Sequence, residues 1–249
     1  MSVSEKEFFE ELQKRFEKVV EENNVKLKEI KIKSKGLTPE EAIGITSRTD
    51  YPILDGSEIM LQADCQGCIG QAFTSSPADF VGTIEDVMKL DINKDDYNKG
   101  LYISTMNSVM NYLGKATNTI HCKDEGPDEC SQEIAKVMIK EHQGKKIALI
   151  GYQPSIFQAL SKDFDLRVLD LNPKNVGKVR FGVKVEHGIE DFDEVVKDWA
   201  DLVLCTGSCL CNGTITNFLD LKKPVIYFGT TIAAAADLFG FKRICPKSK

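Results

Sequence analysis

Apolar residues recur at helical spacing from the start of the chain. Phe8, Phe9, Leu12, Phe16, Val19 and Val20 follow Ser4, and Glu7 completes a capping box, so a first helix is expected from Ser4 to Glu22, ending at Asn23-Asn24. Val25 to Lys33 alternates apolar and charged, the pattern of a half-exposed strand, with a phase slip near Glu29. Thr38-Pro39-Glu40-Glu41 carries the chemistry of a helix start, Thr as N-cap and Pro at the first helical position. Ser57 to Thr74 reads as a hairpin turning at Gln66-Gly67, with Gly taking the positive φ. Phe80–Leu90 and Asp96–Leu113 read as helices.

From Gly114 to Asp128 periodicity is absent, which places a domain boundary there and divides the chain into residues 1–126 and 127–249. Beyond it, after a helix over Glu129–Gln143, short apolar strands alternate with helices. The strands are Lys146–Ile150, Leu166–Leu171, Leu202–Cys205 and Pro224–Phe228. The helices are one beginning at Ser155–Leu160, then Asp191–Trp199, Thr214–Leu221 and Ala233–Phe239. This alternation predicts an α/β fold with a parallel sheet covered on both faces, and ligands of such sheets bind at the carboxyl ends of the strands.

Composition narrows the class. The chain has 249 residues, 32 Lys+Arg against 38 Asp+Glu, and a formal charge of −6. No apolar run approaches about 18 residues and the N-terminus is polar, so neither a membrane span nor a secretory signal is expected, and the expected compartment is the cytoplasm. The acidic balance, without a Lys/Arg block, argues against duplex nucleic acid as a partner. GxGxxG, P-loop, HExxH, EF-hand and nucleophile-elbow patterns are all absent.

Eight cysteines change the picture, because clustered thiols in a reducing compartment point to metal or redox chemistry rather than disulfides. Cys65-Gln66-Gly67-Cys68 is a C-x2-C around the hairpin turn, a spacing that converges two sulfurs on one centre. Cys209 and Cys211 lie in a polar loop before an expected helix, where the dipole favours thiolates. Cys205 ends an apolar strand and is equally a core residue or a ligand. Cys122 and Cys130, with His121 beside the first, are reserve ligands, a switchable pair, or neither. Cys245 reads as a small buried hydrophobe.

The strand-end loops are the other candidates. Gly151-Tyr152-Gln153-Pro154 turns sharply into a helix whose N-terminus can hold an anionic group. Asp170, ending the second strand, is a ribose contact or merely a turn cap.

Taken in order, Gly151-Tyr152-Gln153-Pro154, the acidic-x-x-Pro run Asp170 to Pro173, Thr206-Gly207 followed by Asn212-Gly213-Thr214, and Gly229-Thr230-Thr231 resemble the DUF364 family, described as a heavy-metal chelation domain. Gly70-x-Ala72-x-Thr74, Phe80-x-Gly82-Thr83-Ile84 and the helix containing Asn107 are similar to its N-terminal partner, DUF4213. The resemblance implies an α+β domain similar to the enolase N-terminal domain over 1–126, a Rossmann-like domain over 127–249, a site in the cleft between them, and a homodimer. This chain departs from the family pattern by carrying Cys209 and Cys211 where the family has Thr and an aliphatic residue. It also lacks the prolines of the family's last loop. The cysteines suggest a thiolate-rich version of the family's pocket.

The resulting expectation is a metal- or cluster-binding protein with Cys65, Cys68, Cys209 and Cys211 as ligands and Cys205 and Cys122 next. Soft thiolates select zinc, copper(I) or iron–sulfur clusters, and so few histidines favour a 4Fe-4S iron–sulfur cluster over Zn. A small anionic ligand would lie among Gly151, Tyr152, Asp170, Asn172, Thr206, Gly207, Asn212, Gly229 and Thr230. The alternative is a metal-independent enzyme binding a nucleotide or anionic metabolite there, with Cys209 as its nucleophile. A metallochaperone would share the first reading's ligands.

Overall fold

The computed structural model describes residues 3–56, 58–76 and 79–249. Helix α1 (Glu5–Glu22) begins at the expected capping box, with Ser4 Oγ accepting from the Glu7 N–H and the Glu7 carboxylate accepting from the Ser4 N–H. Helix α2 (Pro39–Ile43) repeats the device with Thr38 and Glu41. The strand between them differs from expectation: β1 runs Lys31–Leu37, not Val25–Lys33. Residues 25–30 are hydrogen-bonded turns that pack Val25, Leu27 and Ile30 against one core, which an extended chain, alternating its faces, does not do.

Strands β2 (Ile59–Cys65) and β3 (Cys68–Thr74) form the expected hairpin, with Cys65 opposite Cys68. Gln66 and Gly67 both have positive φ, 56° and 87°, the signature of a type I′ turn. Ser57, the first residue of the expected hairpin, lies outside the described residues. The expected helix over Phe80–Leu90 begins instead as strand β4 (Phe80–Thr83), paired with β1, before Thr83 caps helix α3 (Ile84–Met88). The sheet order is β3-β2-β1-β4, all antiparallel.

Helix α4 (Asp96–Tyr112) is buried at every position from Asn98 to Met110, because the sheet covers one side and the C-terminal half of the chain the other. Gly70 permits this approach: a Cβ there would stand 2.1 Å from the Ser108 backbone nitrogen. One hydrophobic core therefore runs through both halves.

The second half comprises α5 (Gly126–His142), β5 (Lys146–Ile150), α6 (Pro154–Leu160), β6 (Asp165–Asp170), β7 (Val179–Arg180) and β8 (Val183–His187). After a wide helical coil over Asp193–Trp199 come β9 (Leu202–Thr206), β10 (Val225–Phe228), α7 (Ala233–Phe239) and β11 (Arg243–Ile244). The order is β11-β10-β9-β5-β6-β8-β7, parallel except for β7. The α/β architecture is the expected one. Strands β7, β8 and β11 are additions, and the helix expected over Thr214–Leu221 is a 3-10 turn, Thr214–Phe218.

Two features position the site. The chain leaves β5 for β6 on one side and later returns to β9 on the other, so the loops after β5 and β9 diverge at a topological switch point. The carboxyl-terminal tail is pinned to the interdomain segment by reciprocal backbone hydrogen bonds between Ile120 and Lys249, 2.7 and 2.9 Å. Among the described residues no helix is long and apolar enough to cross a membrane.

Candidate functional site

The loops at the switch point touch. Gly151 has φ +88°, and a Cβ there would lie 2.7 Å from Thr206 Cγ2, so this turn needs glycine both for its backbone and for its neighbour. Around this contact opens a crevice of about 900 Å³, partly solvent, between the strand ends and the N-terminal domain. Gly151, Tyr152, Thr206, Gly207 and Gly229 line it, together with Cys122. A second recess on the β6 side is lined by Gly151, Asp170, Asn172, Thr206, Cys209 and Asn212. The structure thus gathers all but one of the expected small-ligand residues. The exception is Thr230, fully buried, with its hydroxyl unpartnered among the described residues.

Two of these residues are already occupied. Asp170 Oδ2 accepts from the Tyr152 N–H at 2.7 Å, and Oδ1 accepts from the Asn172 N–H at 2.8 Å and from Asn175 Nδ2 at 3.2 Å. Asp170 thus caps its turn, using three of the roughly four acceptor positions of a carboxylate. Asn212 Oδ1 likewise accepts from the backbone and hydroxyl of Thr214.

The roof comes from the N-terminal domain. Tyr51 bonds Ser155 Oγ at 2.5 Å, and Ser155 Oγ donates to Asp128, tying roof to floor. Burial pushes the Tyr51 hydroxyl up to about 12. Glu58 lines both recesses and faces Asp170. Burial first, then the like charges of Asp170 and Asp55, push its carboxyl up to about 7, where it can give or take a proton near neutrality. Asn107 anchors the remaining loop: its Nδ2 donates to the carbonyls of Gln71, Thr230 and Thr231, and its Oδ1 accepts from the Ala234 N–H.

The thiols are arranged differently from expectation. The Cys68 carbonyl accepts from Ser108 Oγ toward one end of α4, whereas Cys211 lines a recess with Asp96 at the other end, near Lys99. Lys99 and Ser108 are about 13 Å apart along the helix. The four-sulfur set Cys65, Cys68, Cys209 and Cys211 is therefore not assembled, because the hairpin turn and the C-x-C loop meet opposite ends of one helix.

Cys205, Cys209 and Cys211 are buried in the common hydrophobic core. Burial pushes the Cys65 thiol up to about 12 and those of Cys205 and Cys211 well above their ordinary value, so these three sulfurs stay protonated. The helix N-terminus expected to activate Cys209 is replaced by single 3-10 turns, Gly207–Cys209 and Thr214–Phe218, which removes the support for a nucleophile there. Among the described residues, no three His, Cys, Asp or Glu side chains stand grouped to hold a metal ion.

A different thiol set meets at the crevice. Cys122, Cys130 and Cys245 all line the wall beside Gly151 and Gly229. The neighbouring Cys122 thiol, foremost, pushes Cys130 up to about 11, and the Cys245 thiol too is raised well above its ordinary value, with Cys130 the first cause. Cys245 is thus no isolated core residue. His121 also lines this wall, with Nδ1 2.6 Å from the Cys122 carbonyl; the proton belongs on Nδ1, leaving Nε2 as the lone-pair nitrogen. Sequence reasoning held Cys130 in reserve beside Cys122 and His121, read Cys245 as a buried hydrophobe and did not single out Glu58. No local pattern marks the last two.

Solved structures with this fold exist. A DUF364-family protein of unknown function from Pyrococcus horikoshii superposes with a TM-score of 0.52 at 16% identity, covering 88% of this chain and 79% of that one. A second, from Desulfitobacterium hafniense, also of unknown function, gives 0.47 at 12% identity, over 73% and 72%. The first likeness shows the fold. No curated protein matches the chain. At the level of sequence, residues 133–242, which carry the floor of the crevice, match the model of family DUF364, "Putative heavy-metal chelation".

Proposed function

We propose that this protein binds a small polar ligand in the crevice between its two domains and handles a heavy-metal ion at the same crevice. The observation that carries the reading is the switch-point contact of Gly151 with Thr206 beneath the roof of Tyr51 and Glu58. Parallel sheets bind ligands at this place, where the diverging loops leave backbone groups facing a cavity. The metal half is supported by the description of the matched family and by the thiols along the wall. An iron–sulfur cluster or a structural zinc is not part of the reading, since each takes about four ligands and the expected four sulfurs lie apart.

The test is anaerobic purification, analysis for iron, zinc, copper and acid-labile sulfide, and native mass spectrometry for a retained small molecule. Ser208, which lines both recesses, is the residue to change. Ser208→Trp should expel the small ligand while the chain stays folded by circular dichroism. A ligand retained by Ser208→Trp, or wild-type protein that binds nothing in a metabolite thermal-shift screen, overturns the reading.

A further inference from the structure

The crevice carries charge of one sign. It joins two neighbouring recesses through Glu58 and Ser208, which line all three. The carboxylates of Glu58, Asp170 and Asp96 stand on these walls, and among the described residues no lysine or arginine lines any of them. Cations of the surrounding loops are engaged elsewhere. Arg48, beside the Tyr51 ring, bonds Asp50 and Gln158, and Lys174 bonds Asp55. Arg243 donates to the carbonyls of Gly229, Thr117 and Asn118.

The backbone agrees with the charge. An anion at strand ends is held by free N–H groups of the loops. Here several of those donors are spent inside the fold. The Gly151 N–H donates to the Leu169 carbonyl at 2.8 Å, those of Tyr152 and Asn172 donate to Asp170, and that of Ser208 to Thr206 Oγ1. On the N-terminal side the unspent groups are acceptors. Burial lowers the His121 pKa and keeps the ring neutral, and with the proton on Nδ1 its Nε2 retains a lone pair. Burial and the like charges of Asp170 and Asp55 act on the Glu58 carboxyl, and among the described residues no hydrogen bond or opposite charge offsets them. Much of the remaining wall is apolar, including Tyr51, Ile53, Phe73, Ile134, Ile156 and Phe228.

We infer that the ligand of this crevice is an organic cation, a small primary amine whose ammonium group pairs with Glu58 and whose apolar body lies against Tyr51, Phe73 and Phe228. This deepens the proposed function and rests on it for the location of the ligand. The ammonium supplies the opposite charge that Glu58 lacks, and it brings donors to a wall of acceptors. Aromatic faces add to the attraction for a cation. An anion would instead meet three carboxylates with no counter-charge among them. A hard divalent cation asks for about six oxygens, whereas no three His, Cys, Asp or Glu side chains stand grouped among the described residues.

The experiment is isothermal titration calorimetry of the full chain at about pH 8, where Glu58 is mostly ionised and an alkylamine keeps its proton. The probes are phenethylamine and hexylamine, each beside its N-acetyl derivative and the carboxylate of the same body. At least one amine is expected to bind about tenfold or more tightly than both of its analogues, the worth of one charge-assisted contact. Glu58→Gln should weaken that amine about tenfold and leave circular dichroism unchanged. Should the variant misfold, the ranking of the probes on wild type still decides. Binding by neither amine, a carboxylate that equals or exceeds its amine, or an unchanged amine affinity in folded Glu58→Gln overturns the inference. An anionic small molecule that co-purifies with wild type and is expelled by Ser208→Trp overturns it too, yet leaves the proposed function standing. The proposed function falls instead with a ligand that Ser208→Trp retains.

Discussion

Two thiol groups in this molecule make an instructive pair. Cys205, Cys209 and Cys211 are neighbours in sequence and carry the spacing of a metal motif, yet they are packed into an apolar core. Cys122, Cys130 and Cys245 have no motif spacing, yet the fold brings all three to the wall of one crevice. Spacing decides whether sulfurs can converge. Thiols are raised in both groups, Cys205 and Cys211 by burial and Cys130 and Cys245 chiefly by their thiol neighbours, so what separates the groups is access to the crevice.

The sharpest way to break this contrast is native-state alkylation read by mass spectrometry. Cys65 and Cys205 should be labelled only through global opening, more than about 1000-fold slower than Cys68 and Cys245, which are partly exposed. Comparable rates for Cys205 and Cys245 would erase the distinction.

A second, smaller effect is on stability. Cys205→Ala leaves a hole in a sealed core and should cost about 2 kcal/mol in urea unfolding. Cys122→Ala, on the crevice wall where neighbours and solvent can fill in, should cost less than about 1 kcal/mol. Equal costs would mean that the crevice wall is as tightly packed as the core.

The smallest effect concerns pH and the crevice alone. The Glu58 carboxyl is raised in the folded chain to about 7 from an ordinary 4.5. A raised carboxyl contributes stability that is fully present below its unfolded value and is lost as pH rises through the folded one. Between pH 5 and 6, wild type should therefore lose about 1 kcal/mol relative to Glu58→Gln, measured as the difference in urea midpoints. A difference that does not change with pH would place Glu58 in water rather than beneath the roof.

Much of the fold is legible in local pattern, for reasons that can be named. Both predicted N-caps, Ser4 and Thr38, close as capping boxes because the partners lie three residues on and need nothing distant. Gln66-Gly67 turns as read, and β5, β6, β9 and β10 fall within a residue or so of their apolar runs. Phe80–Thr83 misleads because its strand state depends on β1 as a partner, and a four-residue strand has no period of its own. Strand β11, two residues long, exists only because β10 is beside it. At the site, the glycine loops are legible as strand ends. Asp170 is legible as an acidic strand end, but its occupation by Tyr152, Asn172 and Asn175 is not.

By itself the sequence determined where helices begin, where the chain reverses, which half carries a parallel sheet, and that its glycine-bearing strand-end loops gather at one end of that sheet. Each of these follows from neighbours a few residues apart. The tertiary structure alone decided which cysteines come to one wall. Helix α4 keeps the hairpin thiols from the C-x-C loop, and the pairing of Ile120 with Lys249 helps carry Cys245 to Cys122 and Cys130. Ionisation was decided at the same level, because a thiol responds to solvent and charge arriving from segments far along the chain, and residue spacing encodes neither.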